Sequence, residues 1–249
     1  MKAVFFTDTG KVRQHNEDHG GVFVNSHGDR LAIVADGMGG HNAGDIASEM
    51  AVELLAQYWQ QTDKFETAQA SEDWFNTHIL NVNKKIYEHA SEHPGCEGMG
   101  TTVVAAICTN RFLTIANIGD SRGYIHNETG LHQMTNDHSF VNELVRTGQI
   151  SREDAEMHPR KNVLLRALGT ENSVEVDVKT IMFEEEDLLL LCSDGLSNKL
   201  SEDEMMIILT SSTSLQDRAQ NMIGLANEHG GEDNISIVLL EYVDGYESR

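Results

Sequence analysis

Four aspartates of the 249-residue chain stand where apolar runs end or begin: Asp36 after "LAIVA", Asp120 after "FLTIANIG", Asp194 after "LLLLCS", and Asp233 before "NISIVLLE". Such runs read as buried strands, which carry their terminal residues to the rim of a sheet. Gly37 and Gly195 follow two of these aspartates and Gly119 precedes a third, so taken singly each is a turn. Taken together they carry more, because carboxylates ~5 Å apart repel by roughly 3 kcal/mol per pair at an effective dielectric of ~20, and bound cations would remove that repulsion. Oxygen ligands without paired Cys or His select Mg²⁺ or Mn²⁺ over Zn²⁺. Two such ions can generate a hydroxide and stabilise in-line displacement at phosphorus. Arg13, on the connection leading to Asp18, could hold a phosphoryl group through its planar fork; in isolation it reads as a surface ion pair.

Other patterns point elsewhere and carry less. "GDSRG" (119–123) has the Gly-x-Ser-x-Gly spacing of a serine-hydrolase elbow, but that motif needs a following helix, and here "YIHNETGLHQM" reads as a hairpin. "HASEH" (89–93) has a zinc-like spacing, but Pro94 ends its helix and no third ligand is evident. Cysteine-phosphatase chemistry needs an arginine six residues after the nucleophile, and the residues there are Thr102, Thr114 and Asn198. No Gly-Lys-Ser/Thr phosphate loop is present.

The elements that must position these aspartates follow from periodicity. Strands are expected at 3–6, 21–24, 31–35, 101–107, 112–118, 123–126, 174–181, 187–192 and 235–242. Ala47, Met50, Leu54 and Tyr58 share one helical face, as do Phe75, Ile79, Val82 and Ile86, and later helices are expected over 201–209 and 215–227. Strands, a helix pair, strands and a second helix pair exclude a simple alternating parallel sheet and favour an α+β fold with helices outside sheets. The polar stretch of about 137–168, with two short helical patterns, reads as a flap over one domain spanning 1–249.

Composition narrows the partners. With 18 Lys and Arg against 40 Asp and Glu the net charge is −22, which disfavours nucleic acid and anionic membranes. No apolar run has signal-peptide or membrane-span character, so no membrane insertion is expected. Three unpaired cysteines suit a reducing cytoplasm.

The motifs "RQHNED", "VADGMGGH", "GMGTT", "IGDSR", "DHS", "CSDGLSNK" and "GGEDNIS", in that order from residue 13 to 240, resemble the metal-dependent serine/threonine protein phosphatases of type 2C. "DGMGGH" and the flap sequence are similar to stand-alone bacterial members that oppose membrane serine/threonine kinases. The resemblance implies a four-layer αββα sandwich of two antiparallel sheets, with a helix pair outside each and the metal centre in a cleft at one end. It implies that Asp36 bridges two Mn²⁺ or Mg²⁺ ions, completed by the Gly37 carbonyl, Asp194 and Asp233. Asp120, with Asp194, would serve a third, weaker ion. Asp18, with Glu17, would act through water, Arg13 would hold the phosphate, and His158 on the flap could contact substrate. Catalysis would rest on Arg13, Asp36 and Asp194, with a metal-bound hydroxide attacking phosphoserine or phosphothreonine of a protein. The expected partners are phosphorylated proteins, among them a cognate membrane kinase, and the expected state is a cytoplasmic monomer. Met38 stands where animal-type members carry a histidine general acid; His41 or a bound water is the alternative, and the acid stays unassigned. A catalytically silent binding module is the rival reading, disfavoured because each ligand position and Arg13 is filled. A regulator of an anti-sigma-factor antagonist is a second rival, for which the usual extra domains are not visible.

Overall fold

The computed structural model describes residues 1–40 and 43–243. In chain order the elements are β1 (Lys2–Asp8), β2 (Asp18–Val24), β3 (Arg30–Met38), α1 (Ala43–Gln60), α2 (Ala68–Glu92), β4 (Gly100–Thr101), β5 (Val103–Cys108), β6 (Phe112–Ile118), β7 (Arg122–Asn127), β8 (Gly130–Gln133), α3 (Phe140–Arg146), α4 (Arg152–Glu156), β9 (Asp177–Met182), β10 (Leu188–Cys192), α5 (Asp194–Ser197), α6 (Glu202–Leu209), α7 (Leu215–Glu228) and β11 (Ile235–Glu241).

The strands form two sheets with antiparallel pairing throughout: β1-β11-β10-β7-β8, and β2-β3-β5-β6-β9 with β4 added beside β3. Three apolar clusters define four layers. Leu55, Trp59, Phe75 and Ile79 of α1 and α2 pack on the outer face of the second sheet with Leu31, Ile33 and Ile107. Met205, Leu209 and Met222 of α6 and α7 cover the first sheet through Leu190, Ile237 and Leu239. Val34, Val104, Leu189, Leu191 and Val238 fill the space between the sheets. Strands such as β5, β6 and β10 are buried along their whole length because a layer covers each face, which explains their unbroken apolar runs. This is the αββα sandwich that the family resemblance implied.

Local differences from the periodicity are instructive. The expected strand over 101–107 is broken at Thr102, whose hydroxyl accepts the Asp36 amide (3.0 Å) while its own amide donates to the Asp36 carbonyl (2.9 Å). Asp36-Gly37 is not a turn: β3 continues to Met38, with Asp18 opposite Asp36 and Thr101 opposite Gly37. Gly37 serves close approach instead, since a Cβ there would overlap the Gly44 carbonyl in the first turn of α1. Asp194 opens the short helix α5 rather than a turn. Gly119, at φ +105°, is the turn glycine of the set, packed against Thr102.

The stretch 137–168 is built from α3 and α4, capped by Ser139 and Ser151. Bridges Ser139↔Leu164 and Thr101↔Leu168 close it at its root. Asn83 of α2 fixes the exit by accepting from the Gly169 amide (2.8 Å) and donating to the Glu171 carbonyl (2.9 Å).

Candidate metal centre

Asp18 and Asp36 come from paired strands of one sheet, Asp194 and Asp233 from the ends of β10 and β11 in the other, and Asp120 from the loop that crosses between them. Their carboxylates lie within electrostatic reach of one another. Burial, followed by repulsion from Asp18, Asp194, Asp120 and Asp233, raises Asp36 well above the usual carboxylate range. Burial likewise pushes Asp18 up to about 7, against the opposing hydrogen bonds of Ser193 and Ser236. Asp120 is pushed up to about 7 by burial and then by Asp194 and Asp137. Asp194 rises to about 6 through burial and Asp233, moderated by a hydrogen bond shared with Asp36. Four carboxyls that resist ionisation together constitute a site lacking positive charge.

The donors of the site test which ion would suit it. Asp18 is 4% exposed; its Oδ2 accepts from Ser193 Oγ (2.7 Å), while its Oδ1 is buried without a partner. An acceptor-only oxygen in that position calls for a cation or its water. Oxygen is the sole donor type in the cluster, which fits a hard divalent ion that retains water. No group of three or more His, Cys, Asp or Glu side chains among the described residues closes around one ion position. Outer oxygens are turned to protein partners instead: Asp233 Oδ2 to Arg13 Nη2 (2.8 Å) and Asp194 Oδ2 to Asn198 Nδ2 (3.0 Å). A shell of two carboxylates, a carbonyl and waters does not require three side chains.

Arg13 is half-exposed and sits at the cluster's edge on its ion pair with Asp233. His158 makes its contacts within the flap, with its ring 5.9 Å from Phe140 and its Nδ1 accepting from the Arg160 amide (3.1 Å). His41 lies outside the described residues.

Several residues that hold the site carry no signal in periodicity or spacing. Arg122 clamps Asp137 through Nε and Nη2 (2.6 Å at the shortest), next to Asp120. His138 is buried, accepts from the Gly119 amide at Nδ1 (3.2 Å) and meets Asp177 at Nε2 (3.2 Å), so its proton resides on Nε2. Asn234 binds the loop that carries Arg13. The motifs "GDSR", "DHS" and "GGEDNIS" contain all of these, but nothing in their spacing says which side chains meet.

Residues 9–228 match the family described as protein phosphatase 2C. The chain belongs to the protein phosphatase 2C family. It is 54% identical over 241 residues to the serine/threonine phosphatase stp of Listeria welshimeri, covering 97% of this chain and 96% of that one. The crystal structure of serine/threonine phosphatase Stp1 from Staphylococcus aureus superposes with a TM-score of 0.92 at 38% identity, covering 97% of this chain and 94% of that one. The catalytic domain of the phosphatase PstP in complex with two manganese ions superposes at 0.85 with 34% identity, covering 98% of each chain. Phosphatases of this family bind divalent metals, and this one is a protein phosphatase with two antiparallel sheets and outer helices. No helix among the described residues is long and apolar enough to cross a membrane.

Ser121 of this phosphatase is fully buried, and its Oγ pairs with Thr102 Oγ1 (2.7 Å), the hydroxyl that accepts from the Asp36 amide. It supports β3 and is closed to substrate. Ser121→Ala is expected to keep turnover within about threefold while losing about 1 kcal/mol of stability, the value of one buried hydrogen bond. Steady-state kinetics and a thermal melt would check this; abolished turnover in a folded variant would restore the serine as nucleophile.

Proposed function

We propose that this phosphatase hydrolyses phosphoserine and phosphothreonine in proteins, using two divalent cations held in the aspartate cleft. The observation that carries the reading is the gathering of mutually repelling carboxylates from both sheets in one cleft, together with the buried, unpartnered Oδ1 of Asp18. Asp36, the Gly37 carbonyl, Asp194 and Asp233 would hold the core ions, and Asp120 with Asp194 a third, weaker one. When bound, such ions lower the pKa of water towards neutrality and neutralise charge developing on the phosphoryl group.

The chain's own residues supply the rest. Asp18, fixed by Ser193, would orient a water at its free oxygen. Arg13 would exchange Asp233 for the phosphoryl oxygens once cations neutralise that carboxylate, a fork geometry suited to phosphate. His158 on the flap would face the peptide. Manganese in the PstP complex supports Mn²⁺ ahead of Mg²⁺. The whole of 1–249 would act as one catalytic domain with 137–168 as flap, in the cytoplasm, as a monomer, against phosphoproteins made by a cognate membrane serine/threonine kinase.

The test is turnover of a phosphothreonine peptide by protein freed of metal with chelator and then titrated with Mn²⁺ or Mg²⁺. Activity should be absent in chelator, return with either ion, and produce no phosphorylated enzyme. Full turnover in excess chelator would overturn the reading.

A further inference from the structure

The loop from Thr9 to Glu17, which carries Arg13, has no regular secondary structure, yet it is held at several places. The Lys11 amide donates to the Gly231 carbonyl (2.7 Å), and a Cβ on Gly10 would overlap the Asp233 carbonyl, so the loop lies directly against the entry to β11. The side chain of Asn234 makes the remaining attachments. It is 4% exposed; its Oδ1 accepts from the Glu17 amide (2.8 Å), and its Nδ2 donates to the carbonyls of Thr9 (2.9 Å) and His15 (2.9 Å). The held residues bracket Arg13 on both sides. Glu17 in turn accepts from the Gly37 amide (3.0 Å) and from Ser48 Oγ (2.6 Å), which ties the far end of the loop to β3 and α1.

We propose that Asn234 is a positioning residue for phosphate recognition, acting through Arg13. The chemistry is particular to a carboxamide. Two donors and an acceptor on one short planar group match two carbonyls and an amide. An aspartate would keep the acceptor but face two carbonyls with a charge, and a leucine would satisfy none of the three. Arg13 itself is half-exposed, and its one side-chain hydrogen bond among the described residues is to Asp233. Its reach to a phosphoryl group is therefore set by the backbone on either side, and Asn234 sets that backbone. The inference rests on the reading of Arg13 as the phosphate-holding group.

A double-mutant cycle tests it on the Mn²⁺-loaded enzyme, with an aryl phosphate as substrate and inorganic phosphate as competitor. Asn234→Ala and Asn234→Asp are expected to raise KM and weaken phosphate inhibition by about ten- to a hundredfold, the scale of a misplaced binding group, with a smaller change in kcat. In an Arg13→Ala background the same substitutions should change KM by less than about twofold. In metal-free protein, hydrogen exchange at the Glu17 amide should quicken in Asn234→Ala and remain slow in Asn234→Asp, which retains the acceptor. An Asn234 effect equally large in both backgrounds, or falling on kcat alone, would overturn the positioning role while leaving Arg13 in place. An Arg13→Ala enzyme with unchanged KM and phosphate inhibition would overturn the phosphate-grip reading, and the positioning role with it.

Discussion

Asp36→Asn is expected to lower turnover at saturating Mn²⁺ by about a thousandfold or more, because, if Asp36 holds the core ions as proposed, losing its carboxylate would remove roughly 4 kcal/mol of transition-state charge stabilisation at about 1.4 kcal/mol per tenfold. The same substitution should leave the chelated protein losing less stability than the parent between pH 5 and pH 9, since a raised carboxyl pKa costs stability as pH rises. Burial and the neighbouring carboxylates favour the protonated form of Asp36, which shares a hydrogen bond with Asp194. An asparagine amide can make that same hydrogen bond without ever acquiring a charge. A chelated variant that melts well below the parent at both pH values would show that the carboxylate serves the fold. A folded variant retaining more than a tenth of parental activity would remove Asp36 from the centre.

The combination of lost activity with kept stability distinguishes a functional carboxylate from a structural one, and it bears on what a linear reading can detect. Apolar runs announced β6, β10 and β11 nearly to the residue, and the spacing of Phe75, Ile79, Val82 and Ile86 placed α2, because burial on two faces or one stripe leaves a periodic trace. Aspartates beside those runs were legible as a group. Their geometry was not. Asp36-Gly37 has the composition of a turn, yet Gly37 lies within β3 because α1 packs too close for a side chain, a constraint imposed from distant sequence. The Arg122–Asp137 clamp and the Asn234 attachments join residues 15 and up to 225 positions apart. Hydrogen bonds of that kind have no period and therefore no signature in composition or hydropathy.

The second large effect is a reversal of pH dependence by metal. Asp18, Asp120 and Asp194 are pushed up to about 7, 7 and 6 from 3.8, and Asp36 is raised well above the same starting value. A carboxyl whose folded pKa exceeds its unfolded one holds its proton longer when folded. Its contribution to stability is therefore fully present below the unfolded pKa near 4 and is lost as pH rises through the window from about 4 to about 7. In chelator, the protein should weaken between pH 5 and pH 8 by on the order of 4 kcal/mol, less than the sum of four separate shifts because the groups share protons and Asp36, Asp120 and Asp194 retain solvent contact. With Mn²⁺ in excess the ionised carboxylates gain partners, proton release accompanies binding, and stability should rise over the same interval. Urea denaturation at pH 5 and pH 8, with and without metal, reads both slopes; parallel slopes would show that the ions bind elsewhere.

The pairing of the first strand with the last has a consequence for biosynthesis. β11 lies in the interior of its sheet, between β1 and β10, and Asp233 stands just ahead of it. While the ribosome still holds those residues, β1 has no neighbour, the sheet has a gap beside β10, and the acidic cleft is short of one wall. A nascent or prematurely terminated chain without β11 therefore lacks both the centre of that sheet and the Asp233 wall of the acidic cleft.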